Sequence, residues 1–329
     1  MTDAVSQGGP WSLSVEDRAR VTPARCRKPV VGPLITGLRK AVWRLFGIQQ
    51  AFDQNYRRVT ALEEMLRPQV ETLTRLVQTI RLQLDLEDAF QCRPGTYDWQ
   101  IVKSVILGNE YQLPDAFGPD DIIVDIGTHI GAFCFAALLR GAQHVYGFEA
   151  EKENFRLAQA HLKPFGDRVR VFHKAVWRSD RTGDTLFHQG SDCYNTGGGS
   201  ILFPSSGERL EVVAFDDVIR DITDNGQRRV RLLKIDCEGS EFPILLTSRT
   251  LHLIDNIRGE YHEINDGTYN PVPIPEVARV PGVERFTMAV LAECLERAGF
   301  RVRSARQGNF FLGWFFASRT GELPARLAA

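Results

Sequence analysis

From Leu38 to Leu84 apolar side chains return at alternating steps of four and three residues. The positions are Leu38, Val42, Leu45, Gln49, Phe52, Tyr56, Val59, Glu63, Leu66, Val70, Leu73, Val77, Ile80 and Leu84, and only Gln49 and Glu63 are polar. This spacing marks one face of a long amphipathic helix or coiled coil. Pro68 falls inside it. An interior proline removes a backbone hydrogen bond and crowds the preceding turn. Two helices are therefore expected, 35–66 and 68–87, the second starting with Pro68 in its first turn. A long helix with an unused apolar face makes an oligomer contact or a stalk, so a homo-oligomer through 35–87 is expected. Residues 1–33 carry prolines and little periodicity and read as flexible.

Beyond about residue 95 the pattern changes to strands alternating with helices. IIVDI (Ile122–Ile126), HVYGFE (His144–Glu149), VRVFHKAVW (Val169–Trp177), RVRLLKID (Arg229–Asp236) and IDNIRGEYH (Ile254–His262) are strand-like runs. Helical segments lie at about 131–139, 151–161, from 239 onwards and 284–298. Apolar strands between helices belong to a parallel sheet covered on both faces. FRVRSA and NFFLGWFFAS are joined by Gln307-Gly308-Asn309 and should close as an antiparallel hairpin. The fold class is α/β, a doubly wound and mostly parallel sheet at 95–329, with a helical or coiled-coil extension at 34–94. Residues 178–215, rich in Gly, Ser and Thr, read as an inserted hairpin and loop with short strands at 185–188 and 210–214. The segment 265–283, with four prolines, is placed as part of a lid.

Composition removes several classes. Hydrophobic residues at 43 % and charged residues at 25 % are ordinary for a globular chain, not a disordered one. There is no uninterrupted apolar run of membrane-spanning length. The start lacks the layout of a secretory signal. The six cysteines are scattered without a CxxC, so zinc is not expected and a cytoplasmic compartment is.

The net charge of −1 hides an uneven distribution. Between Arg18 and Phe52 stand Arg18, Arg20, Arg25, Arg27, Lys28, Arg39, Lys40 and Arg44, and no acid. Trp43, Phe46 and several leucines lie among them. Such a stretch suits the interface of an anionic membrane, or an amphipathic helix packed on a partner; both readings stand. The overall balance gives no reason to expect nucleic acid.

Ligands of doubly wound sheets bind at the carboxyl ends of the strands. The first such end is VDIGTHIGAF, with Asp125, Gly127, Thr128 and Gly131. Gly127 permits a tight turn, and Gly131 opens a helix whose free amides face the ligand. The dinucleotide fingerprint GxGxxG lacks its middle glycine here, so a pyrophosphate is disfavoured. The second end is Glu149, 22 residues after Gly127, where an acid can accept from both hydroxyls of a ribose. Together these point to an adenosine-containing cofactor without pyrophosphate, such as S-adenosylmethionine. The third is LLKIDCEGSE, with Lys234, Asp236, Glu238 and Glu241.

The order VDIGTHIGAF, VYGFEAEKENF, KAVW, YNTGGGSI, LEVVAFDDVI, LLKIDCEGSEFPIL and IRGEYHEI resembles the FkbM-type family of S-adenosylmethionine-dependent methyltransferases over about 96–318. The resemblance implies a seven-stranded, Rossmann-like class I methyltransferase sheet. It also implies O-methylation of a hydroxyl on a sugar, glycan or natural product. On it, Asp125, Gly127 and Gly131 sit against the methionine part of the cofactor, Glu149 holds the ribose, and Ala175 and Val176 meet the adenine. Thr128-His129 stands where the family commonly has Ala-Asn.

A hydroxyl acceptor gains from a general base or a metal. The candidates at strand ends are Asp236, Glu238, Glu260 and His262, with His262 suited to a base because it titrates near neutral pH. These four could hold magnesium, but their spacing is no metal signature, and none is expected from the sequence alone. Asn195 with Gly197–Gly199 is a candidate substrate loop. Two other readings remain: a nicotinamide-dependent oxidoreductase, which would share the strand, loop and Glu149, and a coiled-coil scaffold without catalysis.

Overall fold

The structure is a computed structural model that describes residues 36–38, 40–42, 48–181, 185–186, 194–202, 209–321 and 323. The segment 1–33 and most of the basic stretch at 18–52 lie outside the described residues. The chain divides into two compact units, Met1–Leu76 and Val77–Ala329. No helix among the described residues is long and apolar enough to cross a membrane.

The helix α1 spans Ile48–Ala89 without a break and carries Pro68 in its interior. This corrects the expected division at Pro68. In the heptad defined by Tyr56, Glu63, Val70 and Val77 as a and Val59, Leu66 and Leu73 as d, Pro68 occupies f. That position is the outermost, furthest from the apolar seam. Pro68 and Glu64 are both exposed, so water can serve the Glu64 carbonyl that lost its amide. The apolar seam is itself exposed: Val70, Leu73 and Val77 are 58 %, 60 % and 63 % accessible. The last turns differ, because Leu86, and Phe90 just beyond, enter the core of the second unit.

The main sheet consists of β1 (Ile122–Ile126), β2 (His144–Glu149), β3 (Val169–His173), β8 (Val230–Ile235), β9 (Asn256–His262), β10 (Arg301–Arg306) and β11 (Leu312–Ser318). Their order is β10-β11-β9-β8-β1-β2-β3. All neighbours run parallel except β11, which is antiparallel to both β9 and β10. The seven-stranded sheet and its terminal hairpin are thus as expected. The helices α2 (Asp98–Val102), α3 (Ala132–Leu139), α4 (Lys152–Leu162), α5 (Phe215–Ile222), α6 (Glu241–Thr247) and α7 (Met288–Arg297) accompany it.

The two faces follow from strand alternation. On β1, Ile122, Val124 and Ile126 join one core with Phe242, Phe286 and Phe315. Ile123 joins the other with Phe133, Phe135 and Leu157. Both cores are closed, so β1 is buried at every residue. That is why it reads as an unbroken apolar run.

The expected third strand is two strands. β3 ends at His173, and β4 (Ala175–Trp177) leaves the main sheet to pair in parallel with β7 (Val212–Ala214). The insertion supplies that partner; β4 is buried at every residue, whereas β3 at the edge of the main sheet is only partly covered. Within the insertion β5 (Thr185–Leu186) pairs antiparallel with β6 (Arg209–Leu210).

Candidate functional site

A cavity of about 350 Å³ opens at the carboxyl ends of β1, β2, β8 and β9. Its floor is set by one close approach. Gly127 has φ +79°, and a Cβ there would lie 1.9 Å from the Asp236 carbonyl oxygen. The turns after β1 and β8 touch only because this residue has no side chain. Lys234 fastens the contact from below: its ammonium donates to the Gly127 carbonyl and lies 3.2 Å from Asp125 Oδ1. Burial alone would lower the lysine pKa, but Asp125 and Asp236 outweigh it and raise it.

Glu149 ends β2 on the same cavity, and its two oxygens are already committed in part. Oε2 accepts from the His129 amide at 2.6 Å and Oε1 from the Glu151 amide at 2.8 Å. Each carboxylate oxygen has a second lone pair, so both retain capacity for a hydroxyl. Burial pushes the Glu149 pKa up to about 7, against the pull of the two amides. Gly127, Thr128, Ala175, Val176 and Asp236 also line the cavity. Asp125 and Gly131 do not. Asp125 is fully buried behind the loop as the partner of Lys234. Gly131, at φ +95°, caps α3, where a Cβ would press on Leu162 at 3.2 Å. Of the residues matched to the cofactor, these two act from behind the wall by shaping the loop.

The opposite wall is acidic. Asp236, Glu238 and Glu260 line the cavity. Burial, together with the charge of Asp236, raises Glu238 to about 7 and Glu260 to about 8. His262 stands just behind them. Its Nε2 lies 3.4 Å from Glu238 Oε2 and its Nδ1 3.4 Å from Glu241 Oε1. Burial opposes a charged ring, but the two carboxylates outweigh it and hold the pKa well above the usual histidine range. Both ring nitrogens face carboxylates and neither faces the cavity. His262 is therefore not placed as the free base that its sequence position suggests.

Several lining residues escaped the sequence reading. Tyr111, buried, donates from its hydroxyl to Asp236 Oδ2 at 2.9 Å. Glu110 lines the cavity too, and burial raises it to about 7. Both follow α2 and one π-helical turn, Lys103–Leu107. The signal was present in IVKSVILGN, an apolar run stopped by Gly108-Asn109.

A second feature lay in no motif. Asp98, fully buried, accepts from Arg93 Nε at 2.9 Å and from Thr196 Oγ1 at 2.7 Å. Arg93 also donates to Asn154 Oδ1 at 2.7 Å, and Asn154 Nδ2 donates to the Thr196 carbonyl at 2.9 Å. His129 Nε2 meets Thr196 Oγ1 at 2.8 Å. One buried carboxylate thereby ties the chain before α2 and the glycine-rich loop to the turn after β1. Burial would raise the Asp98 pKa, but these hydrogen bonds outweigh it and lower it. Asn195, Gly197 and Gly199 of the same glycine-rich loop line the cavity. The proposed lid at 265–283 contributes no lining residue. It is held elsewhere, where the buried Arg178 donates to the Arg279 carbonyl at 2.7 Å.

The sequence matches the family model "Methyltransferase FkbM domain" over residues 125–302. No curated protein matches the chain. Among solved structures, EvdMO1 is 12 % identical over 72 % of this chain and 47 % of its own, with a TM-score of 0.39. The N-terminal domain of EvdMO1 with SAH bound is 16 % identical over 60 % of this chain and 74 % of its own, with a TM-score of 0.33. Precorrin-6y C5,15-methyltransferase from Geobacter metallireducens is 12 % identical over 70 % of this chain and 93 % of its own, with a TM-score of 0.35.

Proposed function

The chain belongs to the FkbM methyltransferase family, and from that membership we propose that it methylates a hydroxyl oxygen of a sugar, glycan or natural product. The observation that carries this reading is the pairing of two walls in one cavity. One wall has a glycine turn and a carboxylate suited to a ribose; the other has three carboxylates suited to a hydroxyl.

When bound, S-adenosylmethionine supplies a methyl group already activated by its sulfonium. The residues present fit that cofactor. Glu149 receives the ribose hydroxyls on its free lone pairs, and Ala175 and Val176 offer the adenine an apolar seat. His129 Nδ1 is buried without a partner at the same turn and offers one further polar contact. Gly127 lets the cofactor loop reach the acceptor wall. There Glu238 or Glu260 takes the acceptor's proton as its oxygen takes the methyl group. The bound donor would leave with the electron pair of its carbon–sulfur bond as a neutral thioether, so the acceptor's proton is the one these carboxylates have to receive. Positioning supplies much of the acceleration, because the donor needs no further activation.

Titration with S-adenosylmethionine and with NADH tests the cofactor. Binding of the first and not the second is expected, and the reverse would overturn the reading in favour of an oxidoreductase. A turnover assay over hydroxylated sugars and lipid-linked glycans tests the acceptor. Methylation of amines alone would exclude transfer to oxygen.

For α1 we infer that the exposed seam pairs with a second copy of this chain. Val70 and Val77 stand at a, with Leu66 and Leu73 at d. β-Branched a and leucine d favour two parallel strands. Across such a pair Arg67 and Arg81 at e meet Leu62 and Leu76 at g, so no like charges oppose at these flanking positions; Glu63 at a faces its own copy and weakens the pair there. Light scattering should give twice the chain mass, and Leu73→Glu should return a monomer. A wild-type monomer at micromolar concentration overturns this inference.

A further inference from the structure

The acidic wall has a geometry that proton transfer alone does not require. Asp236, Glu238 and His262 each bring one ligand atom into a group whose members all lie within 4.8 Å of one another. Glu238 Oε2 and His262 Nε2 are 3.4 Å apart. Around a divalent ion with bonds of about 2.1–2.4 Å, adjacent ligands lie about 3.0–3.4 Å apart and opposite ligands about 4.2–4.8 Å apart. The 3.4 Å pair and the 4.8 Å limit on the other separations are compatible with such a shell.

Two further observations point the same way. The imidazole is buried, and its second nitrogen faces the carboxylate of Glu241, which is itself fully buried. A ligating histidine is normally oriented by such a carboxylate on its far nitrogen. Glu241 is in turn fixed by the Cys237 amide, which donates to Oε1 at 2.7 Å, while Oε2 has no partner. Tyr111 holds Asp236 through Oδ2, leaving Oδ1 for a ligand.

We propose that Asp236, Glu238 and His262 form a binding site for one divalent cation of the Mg²⁺ or Mn²⁺ class. Two carboxylate oxygens suit these hard ions, and the single imidazole favours manganese of the two. The cation takes the place of the hydrogen between His262 and Glu238. Three protein ligands leave positions open towards the cavity, where Asp236 and Glu238 form part of the wall. A hydroxyl bound there would lose its proton more readily. That consequence rests on the transfer reading above; the site itself does not.

Titration of the chelator-treated full chain with MnCl₂ tests the site, read by calorimetry and by the electron paramagnetic resonance of the free ion. One Mn²⁺ per chain is expected. Glu238→Gln, at a ligand more accessible than His262, should weaken Mn²⁺ at least tenfold and change S-adenosylhomocysteine affinity less than twofold. Retained S-adenosylhomocysteine binding shows that the variant is folded. Mn²⁺ binding that survives both Glu238→Gln and His262→Gln overturns the assignment. A wild-type chain that binds S-adenosylhomocysteine but no Mn²⁺ removes the metal site and keeps the transfer reading. One that binds Mn²⁺ with these dependences but no S-adenosylhomocysteine keeps the site and removes that reading.

Discussion

The sheet and the helix α1 use the same residue types and reach opposite outcomes. Ile122, Ile123 and Val124 on β1 have no accessible surface, because helices of the same chain cover both faces. Leu73 and Val77 on α1 have more than half of theirs exposed. Both patterns are periodic and equally legible. A strand buried on two faces completes its core within one chain, whereas a helical stripe needs a surface to lie on. Exposed apolar side chains in a continuous row mark an interaction face more often than an isolated one does.

The comparison breaks most readily in the core. Phe242 is fully buried and stacks on Phe286 at 5.0 Å. Phe242→Ala should cost about 3–5 kcal/mol, from lost transfer energy and the cavity left behind. Urea denaturation measures it, and a loss near zero would mean that this core is loosely packed.

Pro68→Ala tests the other side. An interior proline costs a helix about 3 kcal/mol relative to alanine. Relief at the outer f position should stabilise α1 by as much as about that amount without touching the seam. Thermal melting followed at 222 nm would show it. No gain would mean that the helix does not pass through residue 68 as one element.

Glu149→Ala should weaken S-adenosylmethionine binding by about 1–3 kcal/mol, the worth of hydrogen bonds to a charged group. The same carboxylate predicts a pH dependence. Its pKa in the free protein is raised to about 7, and the ribose is better received by the charged form. Affinity should therefore be full above pH 8 and fall as pH drops through 7. Glu149→Gln should flatten that profile; calorimetry at pH 8 and pH 6 is sufficient.

The smallest effect sharpens the contrast. Leu73→Ala should change the stability of a monomer by no more than about 0.5 kcal/mol, as an exposed substitution does. It should nevertheless raise the concentration at which a dimer dissociates. An equal loss of stability at all protein concentrations would mean that Leu73 packs within its own chain.

The sheet was legible because its signals are local. IIVDI is apolar at four of five positions, and the glycines at 127 and 131 stand where a turn and a helix start need them. Glu149 was placed by its distance from that loop. The course of α1 through Pro68 was not legible, since a proline's effect depends on which face of a helix it occupies. The split between β3 and β4 was hidden because the partner of β4 lies 37 residues further on. Asp98 was invisible for a similar reason: its partners Arg93, His129 and Thr196 come from three separate segments.

The sequence by itself determined most of the strands, their mainly parallel sense and the glycine turn after β1, because periodicity and glycine placement act within a few residues. Tertiary structure alone decided what each polar group does. Asp125 became a buried ion partner when Lys234 of the neighbouring strand came within 3.2 Å. His262 was fixed between Glu238 and Glu241 when the end of β9 met the start of α6. Charge and protonation are set by distance and burial, and those follow from contacts that chain order does not contain.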